Sequence, residues 1–145
     1  MATVEKTVLV AFSAERMYTL VEGIEEYPRF LPWCGGAEVK QRMQGTTIAT
    51  IRIDYHGIKQ SFTTENINQP PHCIQIRLMD GPFRQLDGTW NFIALGEHGC
   101  KIEFRLTYEF SNRLLEKIVG PVFHHIANTF VEAFVKRAET SSRQG

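Results

Sequence analysis

His124 and His125 stand side by side, as do Glu25 and Glu26, so the chain offers two adjacent pairs of groups able to bind metal or move protons. Neighbours on a helix point about 100° apart, whereas two ligands for one metal on a helix sit at i and i+4. The spacing therefore speaks against a metal pair. It turns His124 to solvent and leaves His125 a half-buried structural imidazole. Glu25 and Glu26, at a helix end, form no acid–base dyad. Cys34 would need a base to become a nucleophile, and no histidine is tied to it by sequence. Ser13 lies in no Gly-x-Ser-x-Gly turn, and His56, His72 and His98 fall at strand ends or turns. No catalytic set is written here, no metal site is expected, and the protein reads as a non-enzyme.

Aromatic surface is what the chain has in quantity. Tyr55, Phe62, Trp90, Phe92, Phe104, Tyr108, Phe123, Phe130 and Phe134 all fall on faces that periodicity turns inward. Singly each fills a core; together they suit a dry cavity for a long apolar ligand. Gly88 leaves room on the inner face. The candidate ligand-binding residues are Trp33, Tyr55, Phe62, Phe83, Trp90, Phe92, Phe104, Tyr108, Val119, Phe123, Ile126 and Phe130. The expected opening lies near the Trp33 segment, the Asp80–Phe83 turn and the last helix.

Those residues need elements to hold them. Val4–Phe12 reads as a strand, and Ser13 can cap a helix on which Met17, Leu20, Val21 and Ile24 recur at helical spacing. Pro28 and Pro32 then end the helical region, since each lacks an N–H and restricts the residue before it. With three aromatics and a leucine in residues 27–34, this run is a stiff apolar connector pressed on a core, released by Gly35-Gly36. From Ala37 to Phe110 the period is two: Ala49, Ile51, Ile53 and Tyr55 alternate with Thr50, Arg52 and Asp54, and Ile74–Leu78, Leu86–Phe92 and Ile102–Phe110 behave alike. Gly45, Gly57, Asn68–Pro71, Asp80–Pro82 and Gly96–Gly99 carry turn chemistry. The pattern is an antiparallel meander with one wet face and one apolar face.

Ser111 to about Glu139 is helical, with Leu115, Val119, Val122, Ile126, Thr129 and Ala133 on one stripe and Phe123, Phe130 and Phe134 as a ridge along its edge. Pro121 should kink this helix. A curved antiparallel sheet wrapped around a long C-terminal helix is an α+β helix-grip fold. One domain is expected over residues 1–140, with a polar tail over 141–145.

Composition narrows the rest. Lys+Arg and Asp+Glu are both 16 in 145 residues, so overall charge selects neither nucleic acid nor an acidic partner. Three scattered cysteines without a Cys-x-x-Cys pair fit free thiols in a reducing compartment. No apolar run approaches about 18–20 residues, and the Met-Ala-Thr-Val-Glu start has no signal-peptide features. A cytoplasmic protein is expected, with peripheral contact to the inner membrane left open.

Three runs carry a family resemblance: Tyr27-Pro-x-Phe-Leu-Pro-Trp-Cys34, Gly81-Pro-Phe-x-x-Leu-x-Gly-x-Trp-x-Phe92, and Val119-Gly-x-x-Phe123 leading to Ala133-Phe134-x-x-Arg137-Ala138. Together they resemble the coenzyme Q-binding START-like proteins, whose bacterial branch includes the RatA-type proteins, grouped with polyketide cyclases and dehydrases. The resemblance covers nearly the whole chain. It implies a START/Bet v 1-like fold that binds ubiquinone or a similar polyprenyl lipid, without a catalytic cofactor, as a quinone carrier or chaperone in respiration. It also implies an alternative role as a toxin that binds the large ribosomal subunit and blocks subunit association. Residue-level support for that role is the slight basic bias of Arg113, Lys117, Lys136, Arg137 and Arg143. A cyclase-type enzyme is the third class, and the matched acid and base it would need are not evident.

Overall fold

The strand periodicity resolves into a single seven-stranded antiparallel sheet in the computed structural model, which describes residues 1–144. The strands are β1 (Ala2–Val10), β2 (Cys34–Met43), β3 (Thr46–Tyr55), β4 (Ile58–Gln69), β5 (Cys73–Asp80), β6 (Phe83–Ala94) and β7 (Cys100–Phe110). Their order is β1-β7-β6-β5-β4-β3-β2, so β1 and β2 form opposite edges. The segment between them, α1 (Ala14–Glu22) and a 3-10 helix over Ile24–Arg29, must therefore cross from one edge to the other. The meander is as expected, because every turn signal falls at or within two residues of a junction between two of these strands.

Alternation sets the two faces. On β7, Cys100, Ile102, Phe104, Leu106, Tyr108 and Phe110 are buried, while the residues between them turn outward. Register aligns Ile74, Trp90 and Phe104 in one inner row across β5, β6 and β7. Register shifts near Gly36 and Val39 in β2, at Thr63 in β4 and near Phe83 in β6 add local bend and twist. The sheet thereby curls around one long helix, α2 (Arg113–Gln144).

The extent of α2 and the centre of its buried face differ from the expected pattern. The helix contains Pro121 and runs on to Gln144, so residues 141–144, expected as a polar tail, are helical; Gly145 and the side chain of Arg143 lie outside the described residues. Its buried line is Val119, Phe123, Ile126, Ala127, Val131, Phe134 and Ala138, while Leu115, Val122, Thr129 and Ala133 are only half-buried. The buried face is thus centred closer to the phenylalanine ridge than to the expected stripe. A concave sheet leaves depth beneath the helix that long aromatic side chains fill and short ones do not. By length and composition Arg113–Ser141 would reach across a bilayer; here it is the helix the sheet grips.

At the other end of the core, the Ser13 hydroxyl accepts from Arg16 N at 3.1 Å and caps α1. The Arg16 guanidinium donates to the Ala138 carbonyl at 2.9 Å, which ties α1 to the last turns of α2.

Candidate functional site

The connector that follows α1 is held mainly by its own backbone. Leu31 N donates to the Tyr27 carbonyl and Cys34 N to the Leu31 carbonyl, each at 2.9 Å, and Asp54 N donates to the Trp33 carbonyl at 2.9 Å, joining the run to β3. Gly35 makes that junction possible, since a Cβ there would meet Asp54 Cβ at 2.8 Å. The buried Tyr27 hydroxyl donates to the Val21 carbonyl. Burial, reinforced by the nearby Glu22 carboxylate, pushes its phenol well above the ordinary range. Tyr27 and Phe30 both pack edge-on against Phe134, with centroids 5.3 and 5.2 Å away. Trp33 lies 6.1 Å from Phe130. The stiff apolar run therefore roofs the space beside α2.

Beneath it, between sheet and α2, is a cavity of about 70 Å³. Seven candidates from the sequence line it: Trp33, Phe62, Trp90, Phe104, Phe123, Ile126 and Phe130. The other five are placed elsewhere. Phe83 stacks on Phe110 at 4.9 Å and meets Phe123 at 4.8 Å, and Tyr108 meets Phe123 at 4.7 Å, so these rings form a solid cluster. Val119 is buried above the sheet without reaching the cavity. Phe92 lies parallel to Trp90 at 5.8 Å and edge-on to Tyr18, in the core under α1. Tyr55, half-buried against the core at the end of β3, lies beyond the cavity, its ring parallel to that of His125 at 6.0 Å. The turn at Gly81 has φ +153 and brings the chain so close that a Cβ there would sit 2.7 Å from Phe62 Cβ. That contact backs one cavity wall.

Other lining residues were not singled out from the sequence. Val21, Ile24, Tyr27, Ile51, Ile74, Ile76, Leu86, Leu106 and Ala127 complete the apolar wall, and Thr64 and Asn66 add polar groups. β4 carries polar residues on both faces, so no alternation marks it. Its pairing with β3, Ala49 opposite Thr64 and Thr47 opposite Asn66, turns Thr64 and Asn66 inward. The Thr64 hydroxyl donates to Asn66 Oδ1 at 3.0 Å, and Asn68 Nδ2 donates to the buried Thr47 hydroxyl at 3.0 Å. Gly88 supplies less room than its missing side chain implied. Leu106 Cδ1 and Ile76 Cδ1 lean over it, 3.1 and 3.5 Å from where its Cβ would be.

Trp33 also belongs to a second, open groove of about 510 Å³ on the surface, shared with Arg29–Pro32, Tyr55, His125, Thr129, Lys136 and Arg137. One indole thus separates the inner cavity from an outer groove. The Arg137 guanidinium lies over the Phe30 ring, 5.3 Å from its centroid. Both histidines of the adjacent pair are exposed, including His125, expected to be half-buried. The His124 ring takes contacts from Asn128 at 3.0 Å and Tyr108 at 3.4 Å. Burial pushes the Cys34 thiol up, away from the thiolate a nucleophile needs. Among the described residues, no three of His, Cys, Asp and Glu converge as a metal site. The cavity wall is mostly apolar, with Thr64 and Asn66 as its polar side chains.

The sequence profile described as polyketide cyclase / dehydrase and lipid transport matches residues 10–135. The chain belongs to that family. Within it, the chain is 40% identical over 139 residues to the Ribosome association toxin RatA of Escherichia coli (strain K12), across 96% of this chain and 88% of that protein. It is 27% identical over 135 residues to Coenzyme Q-binding protein COQ10 homolog B, mitochondrial, of Xenopus laevis, across 90% of this chain and 55% of that protein. Among solved structures, the Zhui aromatase/cyclase of a Streptomyces species superposes with TM-score 0.79 at 18% identity, covering 95% of this chain and 93% of that one. A START superfamily protein of Mycobacterium smegmatis gives 0.73 at 24% identity, covering 95% and 97%. At those identities the likeness bears on the fold, the helix-grip arrangement of this family, and not on its chemistry.

Proposed function

We propose that this protein is a non-catalytic carrier that takes ubiquinone or a similar polyprenyl lipid between its sheet and α2. The observation that carries the reading is the apolar cavity whose wall residue Trp33 also borders an open groove. The similarity to a coenzyme Q-binding protein supports it. Each isoprene unit adds five carbons, so its full burial is worth at most about 4 kcal/mol at about 0.8 kcal/mol per carbon group. One or two units beneath α2 would hold a lipid whose remaining tail stays outside. The present cavity is below the roughly 150 Å³ that accommodates a benzene, so uptake requires α2 or the connector to move outward. In this reading the protein works in the cytoplasm and touches the inner membrane to exchange its lipid. Leu114 and Ile118, one turn apart on α2 and 66% and 51% exposed, beside Arg113 and Lys117, suit such contact. Native mass spectrometry of purified protein, followed by solvent extraction, tests it: a bound polyprenyl species is expected, and ligand-free protein from quinone-replete cells would overturn it.

A second reading is favoured by the 40% identity to proteins named as ribosome association toxins, which extends over 96% of this chain. Here the partner is the large ribosomal subunit, met through the surface. The two readings use different parts of the molecule and are compatible. Co-sedimentation with purified subunits over a salt series tests the second, since contacts to phosphate weaken steeply with salt.

A further inference from the structure

The cavity wall contains hydrogen-bond donors facing apolar surroundings. Trp90 is 0% exposed, and its indole Nε1–H has no acceptor among the described residues. An indole nitrogen can only donate. Across the floor, on β4, Thr64 and Asn66 are 3% and 8% exposed. The Thr64 hydroxyl occupies Asn66 Oδ1, which assigns the amide so that Nδ2, a second donor, is the end left for other partners. The row that runs from Asn66 across the floor is Ile76 on β5 and Gly88 on β6, two residues before Trp90. Neither brings a polar side chain. The Thr64 oxygen keeps its lone pairs, but the group at this cavity with no partner among the described residues is a donor, Trp90 Nε1–H, and the guest that satisfies it is a mostly hydrocarbon molecule bearing an oxygen that accepts.

Resting on the lipid reading above, we infer that Trp90 and Asn66 form a head-group subsite for a carbonyl oxygen, as on an oxidised quinone ring. The ring enters first and lies beneath α2, and the prenyl tail leads out past Trp33 into the groove. A guest without an acceptor would leave the Trp90 donor unpaired in a dry site, where an unmade hydrogen bond is costly. A guest with one satisfies it. Trp90 and Asn66 are therefore specificity residues, while the apolar wall supplies most of the affinity.

The test compares tetramethylbenzoquinone with tetramethylbenzene, similar in ring and methyls and differing in the two carbonyl oxygens, by calorimetric titration of the intact protein. The quinone is expected to bind at least about tenfold more tightly, the loss typical of one unmade buried hydrogen bond. That preference should fall about tenfold in Trp90→Phe and in Asn66→Leu, two variants in different strands, so that a folding failure of one leaves the other to decide. Infrared spectra give a readout independent of affinity: the carbonyl band of the bound quinone should move to lower wavenumber in wild type and return in the variants. Equal binding of the two probes, or a preference unchanged in a folded variant, overturns the subsite and leaves a buried water as the partner of Trp90. Binding of neither probe while ubiquinone-1 still binds overturns the ring-first subsite alone; failure of all three to bind overturns the lipid reading itself, a different result from equal binding of both.

Discussion

Ile126→Trp separates a cavity from a packed core. Ile126 lies on the buried face of α2 and borders the space above the sheet. The indole is larger than the side chain it replaces and has one empty direction to enter, the void of about 70 Å³. At about 24 cal/mol per Å³ of cavity, filling all of it would recover about 1.7 kcal/mol. Overpacking a well-filled core costs about 1–3 kcal/mol. The net lies between a gain of about 0.7 and a loss of about 1.3 kcal/mol. For a chain of this length that moves the melting temperature by no more than about 5 °C. Ligand affinity should respond far more, because the volume into which α2 and the sheet would admit a prenyl unit is gone. Excluding one unit costs up to about 4 kcal/mol, roughly a thousandfold in Kd, and a loss anywhere above about tenfold meets the expectation. Differential scanning calorimetry and titration with ubiquinone-1 on the same preparation provide both numbers. A fall in melting temperature of more than about 10 °C with Kd within twofold of wild type would refute the reasoning: position 126 would then be core, and the ligand elsewhere.

Three further outcomes follow from the same geometry. The double change Lys136→Glu and Arg137→Glu, both on the groove, should weaken any co-sedimentation with ribosomal subunits far more than it lowers lipid extraction, since what a tail meets there is apolar surface and not charge. A small loss of stability is expected as well, since Arg137 covers Phe30. In Trp90→Phe protein, Trp33 is the remaining indole of the two. Saturable quinone binding should quench its emission if ligand passes it, whereas binding without any change would make Trp33 an anchor of the loop. Arg42 donates to Glu25 at 2.6 and 3.0 Å, and that hydrogen bonding holds the Glu25 carboxyl below the usual carboxylate range. A depressed pKa stabilises above the unfolded value and is lost as pH falls through the folded one. Arg42→Met should therefore cost about 0.2–1 kcal/mol per solvent-exposed pair at neutral pH, and the part due to Glu25 should disappear once Glu25 is protonated in both proteins, leaving what Arg42 gains from its contacts to Glu22. Urea titrations at both pH values check this, and an equal gap in acid would assign the effect to packing and the Glu22 carbonyl contact and not to Glu25.

Much of this protein was legible in its residues because local physics decides it. Period-two alternation set the strands and their inner faces, glycines and prolines set the turns, Ser13 capped α1, and the proline-bracketed run from Tyr27 to Cys34 could only be a stiff apolar segment. Seven of the twelve proposed cavity residues meet around one space, since facing inward is a property of a strand or helix position. Which inward residues leave a gap and which fill it is a different matter. Phe83, Tyr108 and Phe123 are all inward aromatics, yet only Phe123 reaches the cavity, because strand register and the angle of α2 bring the other rings into contact with one another. Thr64 and Asn66 gave no sequence signal, since a strand polar on both faces shows no periodicity; pairing with β3 alone turned them inward. The same holds for the centre of the buried face of α2 and for the unpartnered donor of Trp90. Periodicity is a property of one segment, whereas a void, its polar end and its mouth are differences between the surfaces of several, and those exist only once the sheet has closed around the helix.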